Sequence, residues 1–201
     1  MARPPAIEQE TALWLALNIR SLHLTDDQFL RFCSDNDEFE FEVSAEQELV
    51  IMSHTTPKTE LRNAKITMLL GVWAEQDGTG VFFGSSAIFT LPNGAKRAPD
   101  GSWISNARWN RFSEQEKDSI TRVCPDFVIE LRSTSNRLSK LKEKMDEYIA
   151  NGAQLAWLLD PMGNCAVIYR PGQVPQQIDN PAVLVGDPVL PGFKFNFREI
   201  V

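Results

Sequence analysis

The chain has 201 residues, a formal net charge of −7 and a pI near 4.9. That length suits one domain with a sizeable core. The acidic balance excludes a binder of polyanions that works by net charge alone, so any nucleic-acid contact must rest on a local basic patch. No apolar run approaches the roughly 18 residues that cross a bilayer, and no membrane association is expected. Residues 12–19 are apolar, but Glu8 and Glu10 precede them and no small-residue cleavage pattern follows, so no targeting segment is expected. Cys33, Cys124 and Cys165 are odd in number and lack zinc spacing, which fits reduced thiols in a cytoplasmic protein. His23 and His54 are the only histidines, too few for a histidine-rich metal site, and they make a Ser-His-Asp relay a poor fit.

In chain order, residues 1–24 read as an irregular or partly helical extension and residues 25–201 as a single domain. Thr25-Asp26-Asp27 signals a helix start, with Phe29, Leu30, Phe32 and Cys33 on its apolar side. Phe39 to Val43 alternate apolar and acidic residues and predict a strand, joined to a second over residues 48–52 as a hairpin. Thr56-Pro57 opens a helix reaching about residue 76, proline being harmless at a first helical position. Strands are expected over residues 81–83, 87–91 and 98–104. Residues 105–124 form a polar excursion with a short helix or lid-like loop.

Residues 125–161 carry the clearest pattern: strand, polar turn, amphipathic helix, glycine stop, buried strand. Asp126, Val128, Glu130 and Arg132 alternate with Phe127, Ile129 and Leu131, which puts the charges on one strand face. Leu138, Leu141, Met145, Tyr148 and Ile149 make the helix stripe, capped by Asn136 or Ser135 and stopped by Gly152. Arg137 and Lys144 lie along one edge of that stripe and Lys142 along the other. An edge lysine can bury its stem and carry its amine back toward Glu130; a solvated basic face is the plainer account of the same spacing. Residues 155–159 predict a strand covered on both faces, and the proline-rich tail predicts edge strands.

Glu60, Asp100, Asp126 and Glu130 fall near strand heads or helix starts. Two converging carboxylates make a hard-oxygen site for Mg2+ or Mn2+, and such an ion with a nearby lysine suits phosphodiester hydrolysis. Against this, Asp100 can cap a turn before Gly101, and Glu130 can be a plain structural partner of a cation.

The segments LPNGAKRAPDGSWIS, CPDFVIELRS, KLKEKMDEYIANGAQLAWLLDP and LPGF resemble a large bacterial family of restriction-endonuclease-like proteins in the PD-(D/E)XK nuclease superfamily, over roughly residues 25–200. The resemblance implies a three-layer α/β core around a mixed central sheet flanked by helices, here with an extra N-terminal hairpin and C-terminal edge strands. It implies a metal-dependent DNA endonuclease. Pro99-Asp100 matches the PD, and Glu130 the acid of the second half-motif. Arg132 stands where that half-motif has lysine. Lys144 fits the lysine moved onto the following helix, four residues before Tyr148, with Lys142 as the fallback. Asp100 and Glu130 are then the metal ligands, Glu60 an acid from the first core helix, and Arg137 and Lys140 the phosphate contacts. The alternative is a non-cleaving member that binds nucleic acid or a protein. A homodimer is open to a small nuclease of this kind, though no interface motif shows one.

Overall fold

The computed structural model describes residues 14–53, 55–134 and 136–201, so His54 and Ser135 lie outside the described residues. The elements in order are β1 (Trp14–Asn18), a 3-10 turn (Arg20–Leu22), α1 (Asp26–Asp35), β2 (Phe39–Val43), β3 (Glu48–Ser53) and α2 (Pro57–Asp77). Then come β4 (Gly80–Gly84), β5 (Phe89–Thr90), β6 (Lys96–Arg97), β7 (Gly101–Ser105), α3 (Asn106–Trp109) and α4 (Glu114–Lys117). The last part holds β8 (Phe127–Leu131), α5 (Leu138–Ala150), β9 (Leu155–Asp160), β10 (Cys165–Tyr169), β11 (Gln176–Asp179), β12 (Val183–Val185), β13 (Lys194–Asn196) and a 3-10 turn (Phe197–Glu199).

Local chemistry sets the helix ends. Thr25 and Gln28 form a capping box at α1. Thr56 Oγ1 accepts from Thr59 N at 3.3 Å ahead of Pro57, and Gly78 ends α2 at φ 67°, where any Cβ would be strained.

The central sheet runs β11-β10-β9-β8-β7-β4. Only β8 and β9 are parallel, because α5 carries the chain across between them. Both faces of β8 are covered. Ile129 and Leu131 join Trp157 against Ile66, Leu70 and Ala74 of α2, with Phe193, Phe195 and Phe197 of the tail closing the same layer. Val128, Ala156 and Leu158 pack on Leu141, Met145 and Tyr148 of α5. Each fully buried Val, Leu, Ile, Phe or Met side chain among them contributes about 1.5–3 kcal/mol. The result is the expected three-layer α/β core with a mixed sheet.

A second sheet runs β1-β3-β2-β6-β5. It contains the expected hairpin, β2–β3. Residues 14–18, expected in an irregular or partly helical extension, are instead a strand pairing antiparallel with β3, Leu15 opposite Ile51. The tail is also more than edge strands. β11 does edge the central sheet, but among the described residues β12 and β13 pair only with each other. Among the described residues no helix is long and apolar enough to cross a membrane.

Candidate active site

Strand register brings the first two acids together. β7 runs antiparallel to β8 with Gly101 opposite Ile129, so Asp100, one residue before β7, lies across from Glu130. Leu131 N donates to Asp100 Oδ2 at 2.7 Å, and Asn63 Nδ2 from α2 donates to Oδ1 at 3.0 Å. Helix spacing brings in the third group. Lys144 and Tyr148 are one turn apart on α5 and share a face. Lys144 Nζ lies 2.7 Å from Glu130 Oε1, and Tyr148 OH donates to the same oxygen at 2.9 Å. Glu130 Oε2 has no partner among the described residues.

Lys144 has a second carboxylate. Its Nζ also lies 2.7 Å from Oε1 of Glu42, on β2 of the other sheet. Glu42 is itself well held. Ala98 N donates to Oε1 at 3.0 Å, and Arg97 Nη1 to Oε2 at 3.1 Å. Arg97 reaches on through Nε to Glu147 of α5 at 2.6 Å. Glu42, Asp100, Glu130 and Lys144 all line one cleft of about 730 Å³.

Burial dominates the electrostatics. It pushes Asp100 up to about 6, against the opposing pull of the Leu131 hydrogen bond and the Lys144 charge. It pushes Glu130 up to about 7, with Lys144 opposing and Asp100 and Glu42 adding to the rise. Burial acts the same way on Glu42, but Lys144 and Arg97 overcome it and hold Glu42 below its ordinary value. Burial works to lower Lys144, and Glu130 and Glu42 override it, so the ammonium is held above the usual lysine value. Burial, then the two acids, raises Tyr148, which stays a phenol and a donor.

These groups suit a hard divalent cation. Asp100 and Glu130 both line the cleft, and burial, the main cause of their raised values, disfavours their charged forms until a cation partners them. Among the described residues no group of three His, Cys, Asp or Glu side chains is placed to hold a metal ion. Two carboxylates with water in the other positions is a usual arrangement for magnesium.

The remaining candidates divide. Glu60 is exposed and lines the cleft, as do Arg137 and Lys140 at its rim. Lys140 is paired with Glu143 at 2.7 Å. Three candidates do not join it. Arg132 leaves the strand face and pairs with Asp160 Oδ2 at 2.6 Å. Lys142 is exposed on the other edge of α5, outside the cleft lining. Asp126 sits at the opposite end of β8, where Arg108 Nη1 at 2.6 Å and Ser105 N at 2.8 Å hold it. Removing that charge should cost stability alone: Asp126→Asn is expected to lower unfolding free energy by about 1–3 kcal/mol, read by urea denaturation, with cation binding unchanged. The expected caps also differ. Arg137 occupies the α5 cap without a side-chain bond, while Asn136 Oδ1 accepts from Ser133 N at 2.9 Å.

Sequence reasoning missed Glu42, Arg97, Glu147 and Asn63. Glu42 left one signal, the clean alternation of β2, but that pattern reads equally as a solvated face.

Residues 26–198 match a family model described as Uma2, "Putative restriction endonuclease". Among solved structures, a crystal structure described as a "putative nuclease belonging to DUF820" from Anabaena variabilis ATCC 29413 aligns with TM-score 0.71 and 20% identity, covering 88% of this chain and 97% of that one. At that identity the likeness shows a shared fold. A cryo-EM structure of a DrdV–DNA complex aligns with TM-score 0.38 and 16% identity over 58% of this chain and 10% of that one, too slight to carry an argument. No curated protein sequence matches. The family match runs from α1 to the last turn and takes in every residue that builds the cleft, and the chain belongs to that restriction-endonuclease family.

Proposed function

We propose that this chain is a divalent-cation-dependent nuclease that hydrolyses DNA phosphodiester bonds in the cleft. One observation carries the reading: in a chain of this family, the buried Glu130, the half-buried Asp100 and a lysine meet at one end of the central sheet. Asp100 and Glu130 hold Mg2+ or Mn2+. The ion, when bound, polarises a phosphoryl oxygen and lowers the pKa of its water. Lys144 brings a fixed positive charge to the phosphate. It does not act as a base, because Glu130 and Glu42 keep it protonated. Tyr148 fixes the orientation of Glu130 through its hydroxyl.

Arg137 and Lys140 at the rim meet the phosphate backbone. Charge reversal at either is expected to weaken DNA binding and to reduce the slope of log K against log salt by about 1, measured by fluorescence anisotropy across a salt series. Arg137 should show the larger effect, since Glu143 already neutralises part of Lys140.

The test of the function is nicking of supercoiled plasmid with and without magnesium or manganese. Cleavage that needs the cation and both carboxylates supports the reading, and cleavage indifferent to them sinks it. A specific observation favours a second reading, a cation-binding member that does not cut. Glu40, Glu46, Glu48 and Glu60 are exposed and line the same cleft, a wall that repels phosphates. Cation binding without nicking selects that reading.

A further inference from the structure

The Lys144 ammonium is shared between two acids that differ in how they are held. Glu130 Oε1 takes Lys144 and the Tyr148 hydroxyl, while its other oxygen has no partner among the described residues. Glu42 takes Lys144, the Ala98 amide and the Arg97 guanidinium, so both of its oxygens are tied to the protein. The two acids also come from different sheets, Glu130 from β8 and Glu42 from β2. A cation bound at Glu130 repels an ammonium on the same carboxylate. Lysine carries its charge on a flexible four-carbon stem, so an ammonium repelled from its only partner would swing toward water. Here it has another carboxylate within the same 2.7 Å contact.

We infer that Glu42 is the positioning residue for Lys144: it retains the ammonium in the cleft when a divalent cation takes over Glu130. This rests on the nuclease reading for its consequence, but not for its geometry. Glu42 does not touch the phosphate. It acts by leaving the lysine little to reorganise when the cation arrives, which replaces the fixed placement of a lysine carried on the strand itself. Arg97 extends the support, because its link to Glu147 ties Glu42 to the helix that bears the lysine.

The test follows the Lys144 ammonium by 15Nζ NMR with magnesium chloride and no DNA, alongside plasmid nicking. In the native chain, magnesium should shift this resonance without broadening it into solvent exchange. In Glu42→Gln the resonance should persist without magnesium and be lost on its addition, and nicking should fall about 10- to 100-fold in kcat with KM for DNA little changed. Glu42→Asp, which keeps the charge, should recover most of both. Loss of the native resonance on magnesium addition overturns the inference without any variant. So does a Glu42→Gln resonance that survives magnesium, or one already absent without it. Magnesium binding with the ammonium retained by Glu42, but no nicking, sinks the nuclease reading and leaves the anchor. Nicking with no effect at Glu42 does the reverse. A chain that binds no magnesium overturns both.

Discussion

Asp100→Asn is expected to abolish cation-dependent cleavage, by about 10³-fold or more, while making the protein more stable at pH 8. The activity loss follows from taking one of two carboxylates from the cation, whose charge stabilisation is worth several kcal/mol; about 4 kcal/mol corresponds to 10³ in rate. The stability gain follows from burial. Asp100 has its folded value raised from 3.8 to about 6. The folded chain therefore holds a proton that the unfolded chain has released, and stability falls as pH rises from about 4 through 6. Asparagine has no such loss. At about 1.4 kcal/mol per unit, the variant should gain up to about 3 kcal/mol above pH 7 and nothing below pH 4. The new amide can keep its oxygen on Leu131 N, and Asn63, whose Oδ1 is buried without a partner among the described residues, can turn its own amide over to accept from the new NH2. Urea denaturation at pH 4 and pH 8, with calorimetric magnesium titration, measures both halves. A variant that is less stable at pH 8, or that still cleaves, would show that Asp100 is a structural cap.

Lys144→Met should have the largest cost in stability. It leaves Glu42 and Glu130 facing each other with their shared cation gone. Breaking a buried ion pair from one side costs about 3–5 kcal/mol. The cost should depend on pH, and its sign is fixed. Glu130 is already raised from 4.5 to about 7 with the lysine pulling it down, so removing the lysine raises it further. The folded variant then holds a proton across a window in which the unfolded chain has none, from about pH 4.5 to above 7. Its stability must decline through that window and recover on acidification. Comparing native and variant unfolding at pH 5 and pH 8.5 checks this. A deficit equal at both values would mean that lost packing of the lysine stem, rather than unpaired charge, is responsible.

Much of the central unit could be read from the chain itself. The two-residue period of β8, the stripe of α5 and the continuous apolar run of β9 each have one economical solution, a parallel pair bridged by a helix. That unit carries Glu130, Lys144 and Tyr148, so the approach of helix to strand was legible. The approach of Asp100 needed the register of β7 on β8, to which the motif pointed but which periodicity does not define. Glu42 was not legible. Alternation in Phe39 to Val43 says that one side of a strand is polar, not whether water or a lysine faces it. Only the pairing of Val43 with Lys96 puts Arg97 and Ala98 beside Glu42. Arg132 misled for a similar reason. Its partner Asp160 lies on the neighbouring strand, and Asp160 also receives Met162 N at 3.1 Å and Gly163 N at 2.9 Å in the turn that follows. A strand-end arginine reads the same whether it serves a reaction or braces a turn.

The cleft draws its charges from stretches of chain that begin at Glu40 and finish at Glu147, and β8 is bounded on its second edge by β9. A chain still leaving the ribosome before residue 155 has no strand to close that edge. Glu130 then lacks the neighbouring strand that helps to bury it, although Lys144 and Tyr148 of α5 come before that strand in the chain. On the nuclease reading, the buried setting of Glu130 therefore waits on β9, which is made after every charged residue that lines the cleft.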